Sequence, residues 1–258
     1  YDKSNLVSVI LSDDGCTVYG NGAAADDNGV VITESGTYIM SGTLSNGFIK
    51  VSAETDIKIQ LVLDGVSIHN ESGPAIYIQS ADKVFITLAE DSVNTLSDGT
   101  SYSATDDSTN LDATLFSKED LTVNGSGILN ISGNYKHGIV SKDDLVITGG
   151  TINVTSVKVG LNGKDCVKIG GGTIDIQAGS DGIRSDNSED TSRGYIYIAG
   201  GNINITSEND GIQAETILKI SGGTITVSSG GGSENASANS SGEWNLSWKF
   251  AGGSLSES

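Results

Sequence analysis

Proline is all but absent from this chain: one residue, Pro74, in 258. Cysteine and histidine occur twice each, and aromatic residues make up only 5%. Positive charge is scarce too, with 14 Lys+Arg against 33 Asp+Glu and a net charge of −19. Each shortage excludes something. Cys16 and Cys166 do not make a disulfide scaffold, and neither they nor His69 and His137 have the spacing of a zinc site. The charge balance argues against nucleic acid and anionic membrane as partners, because both would be repelled. No run approaches 18 apolar residues, so no transmembrane segment is expected. What the chain has in excess is glycine, 35 residues, beside apolar residues that are mostly Ile, Val and Leu. An interior glycine costs a helix about 1 kcal/mol, whereas branched residues suit a sheet. The chain reads as all-β.

A repeat sets the architecture. Residues 149–154 (Gly-Gly-Thr-Ile-Asn-Val) return at 171–176, 200–205 and 222–227, at spacings of 22, 29 and 22. A second motif, His137-Gly138-Ile139, returns at Val159-Gly160-Leu161, Asp181-Gly182-Ile183 and Asp210-Gly211-Ile212. The two series agree if the seven polar residues 187–193 are an insertion. Upstream, residues 115–123 match residues 139–147, 24 positions later. Short alternating strands between Gly-rich turns, recurring every 22 to 24 residues, describe a parallel β-helix, a solenoid of about ten coils. The expected core columns are Ile152, Ile174, Ile203 and Ile225, with Val154, Ile176, Ile205 and Val227 beside them. The solenoid is expected over residues 1–227. Residues 228–258, Gly/Ser-rich and carrying Trp244 and Trp248, break the pattern and read as a tail or as a cap.

Equivalent positions in successive coils stack about 4.8 Å apart. Two carboxylates at that spacing repel by roughly 3–4 kcal/mol at an effective dielectric near 20. A calcium ion takes oxygens at about 2.3–2.6 Å and bridges such a pair. Asp181 and Asp210 are one candidate bridge. Asp165, Asp186 and Glu215, completed by Asn187, Glu189 and Asp190 of the insertion, are a second. A third, weaker one is Asp106, Asp107 and Asp112 in the loop over residues 98–113. The competing reading is a surface ion-pair ladder, since Lys118, Lys142 and Lys164 alternate with acids. Tyr195 and Tyr197 alternate with Ile196 and Ile198, so both rings point outward, where they pack as ordinary strand tyrosines or stack a sugar.

The strings His137-Gly138-Ile139-Val140-Ser141-Lys142-Asp143-Asp144-Leu145, Asn162-Gly163-Lys164-Asp165-Cys166-Val167 and Asp181-Gly182-Ile183-Arg184-Ser185-Asp186-Asn187 resemble the bacterial carbohydrate-binding domain-containing β-helix proteins. The resemblance runs over roughly residues 5–235. It implies a right-handed parallel β-helix, secreted or at the cell surface, that binds calcium and cellulose-like or pectic polysaccharide and is similar to family 9 polysaccharide lyases. It places calcium near Asp143, Asp165, Asp181, Asp186 and Asp210; Val159 departs from the acid expected before Gly160. Three functions follow. The first is non-catalytic, calcium-assisted polysaccharide binding, with Lys164, Arg184, Tyr195 and Tyr197 as sugar contacts. The second is a pectate-type lyase in which Lys142, Lys164 or Arg184 takes the proton. The third is a structural surface spacer.

Overall fold

The computed structural model describes residues 6–103 and 110–230, which form 25 strands and no helix. From Ile76 onward the strands fall in turn on three faces. Face A holds Ile76–Ser80, Ala113–Ser117, His137–Ser141, Leu161–Gly163, Ile183–Ser185 and Ile212–Ala214. Face B holds Lys83–Leu88, Asp120–Gly125, Asp144–Ile147, Cys166–Ile169, Tyr195–Ile198 and Leu218–Ile220. Face C holds Val93–Asp98, Ile128–Gly133, Thr151–Ser156, Thr173–Ala178, Asn202–Ser207 and Thr224–Ser229. Neighbours within each face are parallel. The 13-residue strand Lys58–Asn70 joins faces B and C, pairing with Lys83–Leu88 through its first half and with Val93–Asp98 through its last residues. The chain passes from A to B to C and returns to A one strand further on, consistent with a β-solenoid.

The core is built by the repeat. Ile152 pairs with Ile174, Ile174 with Ile203 and Ile203 with Ile225, all buried. Val154, Ile176, Ile205 and Val227 follow in the same register, and only Val227, in the last described coil, is partly exposed. Face B contributes Leu121, Leu145, Val167 and Ile196, each 0% exposed. The insertion sits where the spacings put it. Leu145 pairs with Val167, but Val167 pairs with Ile196, and the extra residues lie between the strands Ile183–Ser185 and Tyr195–Ile198. The last strand runs to Ser229. Trp244 and Trp248 lie outside the described residues, as do Asp106 and Asp107.

The second motif has a steric cause. Gly138, Gly160, Gly182 and Gly211 stand at the corner entering face A, where a face C side chain comes against the backbone. A Cβ on Gly182 would overlap Ile205 Cγ2 and lie 2.5 Å from the Gly211 carbonyl oxygen. Val154, Ile176 and Val227 take the place of Ile205 against the other three. Gly182→Ala is therefore expected to destabilise the protein by about 1–3 kcal/mol through overpacking. Chemical denaturation measures this, and an unchanged midpoint would mean that the corner yields freely.

The first strands depart from the coil pattern. Leu6–Leu11 lies parallel to Gly36–Leu44 but antiparallel to Thr17–Tyr19, and Ala23–Asp26 is antiparallel to Gly29–Ile32. These short antiparallel strands flank the first coils and blunt edges that a parallel stack leaves open.

Candidate functional site

Face B carries an ordered outer surface. Its inward residues alternate with outward ones, and pairing sets the outward ones in two columns. The first column runs Lys83, Asp120, Asp144, Cys166, Tyr195. The second runs Phe85, Thr122, Val146, Lys168, Tyr197, Lys219. At one end Tyr195, Ile196, Tyr197 and Ile217 floor a shallow groove of about 310 Å³ edged by Lys168 and Lys219. Ile217 is 61% exposed. Lys168 Nζ lies 5.4 Å from the Tyr195 ring centroid, and Lys219 Nζ lies 5.3 Å from that of Tyr197. Ser221 Oγ donates to the Tyr197 hydroxyl at 2.9 Å. The surface offers apolar ring faces edged by cations.

Further along the first column is an acidic cluster, completed by Asp143 from the turn before Asp144. One ligand atom from each of Asp120, Asp143 and Asp144 lies within 4.8 Å of the others. This is the one such group of three among the described residues. Two lysines neutralise part of it: Lys168 Nζ is 2.8 Å from Asp144 Oδ2, and Lys83 Nζ is 3.4 Å from Asp120 Oδ2. Burial, a hydrogen bond with the Asp165 carboxyl and the charges of neighbouring acids push Asp143 up to about 6. Burial acts the same way on Asp144, but hydrogen bonds from Cys166 and Lys168 overcome it and hold Asp144 below the usual carboxylate range. For Lys168, burial is outweighed by hydrogen bonds to Asp144 and Tyr195, which hold its ammonium above the ordinary lysine value. Cys166, covered by its neighbours, is pushed up to about 12, chiefly by burial. It is a protonated packing residue, and Cys16 is likewise a free thiol.

Asp143 gives a pH dependence with a definite sign. Its carboxyl keeps a proton in the folded protein that the unfolded chain releases near pH 4. Without divalent cation, stability should fall as pH rises from about 4 to about 6. Asp143→Asn should remove that slope in melting temperature, and an unaltered slope would assign it to another group.

A family profile described as "Carbohydrate-binding domain-containing protein" matches residues 26–249. The chain belongs to this family. A curated relative with the same description, from Acetivibrio thermocellus, is 40% identical over 135 residues, which are 52% of this chain and 47% of the relative. The aligned region thus spans about half of that relative's length. A solved structure described as the polysaccharide lyase-like protein from C. thermocellum, gadolinium derivative, is similar with a TM-score of 0.84. It is 38% identical, and the match covers 87% of this chain and 91% of that one.

Within this carbohydrate-binding family member, the residues singled out in the sequence divide between two places. Tyr195 and Tyr197 are on face B. Arg184 is on face A, within Ile183–Ser185, and Lys164 is in the turn between the face A strand Leu161–Gly163 and the face B strand Cys166–Ile169, so the four are not on one face. Arg184 is engaged by acids, at 3.5 Å from Asp181 and 3.0 Å from Asp186. Asp210 stacks next to Asp181, and its N–H donates to Asp181 Oδ1 at 3.3 Å. Asp165 accepts from Asn187 Nδ2 at 2.5 Å and pairs with Arg193, while Asp190 accepts from Ser192 and pairs with Arg193 at 3.4 Å. Glu215 stacks beside Asp186 and is exposed. Arg184 and Arg193, rather than the lysines of the ladder weighed above, thus meet much of the acidic stretch from Asp165 to Asp190.

The cluster forms one coil earlier, from Asp143 with Asp120 and Asp144. Asp120 and Asp144 were not among the candidate ligands read from the sequence, although a signal existed. The copies at residues 115–123 and 139–147 put Asp120 over Asp144, at the first outward position of the strand. His137 opens the strand His137–Ser141 and ties it to the next coil: Val159 N–H donates to its Nδ1 at 3.1 Å, and burial outweighs the pull of Asp112 to lower it to about 4.

Proposed function

We propose that this protein binds plant cell-wall polysaccharide outside a bacterial cell, without cleaving it, on face B of a right-handed parallel β-helix of about ten coils. The groove of Tyr195, Tyr197 and Ile217 stacks sugar rings, and the acidic cluster holds calcium for the carboxylates of a polygalacturonate chain. One observation carries the reading: Asp120 and Asp144 of the cluster stand in the same face B column as Tyr195 of the groove, with Asp143 in the turn just before Asp144. Oxygen atoms no more than 4.8 Å apart suit an ion whose bonds are about 2.3–2.6 Å long. The lifted Asp143 carboxyl is a further sign that the cluster carries excess negative charge. Asp120, Asp143 and Asp144 would hold the ion, which would supply positive charge to a surface of net charge −19. The gadolinium derivative described for the similar solved protein is in keeping with this, since gadolinium is a hard, oxygen-seeking cation.

A cellulose-like glucan has no charge to neutralise and would need only the ring faces and hydrogen bonds. Retention on polygalacturonate should therefore fall sharply with chelator, and retention on cellulose should change little. Equal chelator resistance for both polymers would contradict the calcium role. The lyase reading needs a neutral base, whereas Lys168, the lysine that touches both groove and cluster, is held in its charged form. Steady calcium-dependent release of unsaturated uronate, read by absorbance, would overturn the non-catalytic reading.

A further inference from the structure

Lys168 belongs to both halves of the site. Its ammonium rests on Asp144 Oδ2 at 2.8 Å and over the Tyr195 ring at 5.4 Å, and its side chain edges the groove. At the other side of the cluster, Lys83 is 3.4 Å from Asp120 and 5.7 Å from the Phe85 ring centroid. Two of the three clustered acids are thus answered by lysine ammoniums. A divalent ion needs the same carboxylate oxygens that these ammoniums occupy. Lysine is a compact charge on a flexible stem of four carbons, so it can leave one oxygen and still reach another a few ångströms away. Asp144 and Lys168 have 27% and 36% of their side-chain surface exposed, so an ion from solvent can reach both.

We propose that Lys168 is a cation-gated sugar ligand: an ion on Asp120, Asp143 and Asp144 displaces its ammonium from Asp144 and frees it to pair with a uronate carboxylate on the Tyr195–Tyr197 groove. This rests on the polysaccharide-binding reading above and adds its regulation. Calcium then promotes acidic-sugar binding by releasing a protein cation, in addition to any direct bridge. Lys83 is a competitor for the ion alone, because Asp120, Asp144 and Cys166 separate it from Tyr195 along the column.

The gate makes one substitution act in opposite directions on two ligands. Lys168→Met keeps the stem over the ring and removes the charge. Calorimetric titration with calcium alone should show tighter binding than in the parent, on the order of fivefold. Titration with an oligogalacturonate at saturating calcium should show binding weakened by a similar factor, on the order of fivefold. Lys83→Met should tighten calcium binding too, yet leave oligogalacturonate affinity within about twofold of the parent. A direct bridge that needs no lysine gives unchanged sugar affinity in Lys168→Met, which overturns the gate. Loss of both affinities means that Lys168 only supports the acids, and overturns it as well. A parent protein that binds neither calcium nor oligogalacturonate would instead remove the polysaccharide reading itself. Melting curves of both variants, compared with the parent, show whether folding accounts for any loss.

Discussion

Ile174→Ala is expected to lower the free energy of unfolding by about 2–4 kcal/mol, the usual range for a fully buried Ile cut to Ala. Ile174 is 0% exposed and sits mid-column between Ile152 and Ile203, in the strand Thr173–Ala178. Part of the loss is transfer of the missing carbons, and the rest is the cavity left behind. The coils above and below cannot close that cavity without giving up their own register, because each is tied to its neighbour by parallel pairing along the whole strand. The same truncation at Ile225, 4% exposed in the last described coil, should be milder, since it has a described partner on one side only. Denaturant titration of the two variants measures the difference. Equal, small losses would mean that the column is not tightly packed.

The second large effect concerns calcium. An ion that binds only the folded state at a hundred times its dissociation constant adds about 2.7 kcal/mol of stability. The parent should therefore melt several degrees higher in excess calcium than in chelator, and Asp144→Asn should lose most of that gain. Asp144 is the informative position because it meets the other acids, Cys166 and Lys168 at once. Asp181→Ala tests the alternative placement. Asp181 is already paired with Arg184 and accepts the Asp210 N–H, so its loss should lower stability with or without calcium and leave the calcium increment largely intact. A calcium increment lost in Asp181→Ala but kept in Asp144→Asn would move the ion to face A.

The parts of the fold that were legible in the sequence are those governed by repetition. Ile152, Ile174, Ile203 and Ile225 share a spacing because they share a neighbour, so register could be read directly from the numbers. The upstream strands were harder to place. Lys58–Asn70 spans two faces in one run and so blurs the period, and Ile59 pairs with Val84 at a spacing that no repeated motif marks. The early antiparallel strands had no repeat to reveal them. For the site, alternation alone put Tyr195 and Tyr197 outward, whereas the partners Lys219 and Ile217 lie in the following coil and become visible only through pairing. The acids divide for a physical reason. Asp165, Asp181 and Asp186 are placed to stack, but Arg184 and Arg193, the only two arginines in the chain, reach back to them. Which acids meet a protein cation is decided by side-chain reach, and spacing does not report it.

The measurement closest to the central claim is the affinity of oligogalacturonate, at saturating calcium, for the parent and for a Tyr195→Ala, Tyr197→Ala variant. Stacked rings contribute about 0.5–1.5 kcal/mol each beyond their buried area, so losing both should weaken binding roughly tenfold while leaving calcium affinity nearly unchanged. Undiminished oligogalacturonate binding by a folded double variant would contradict the account and place the sugar elsewhere on the molecule.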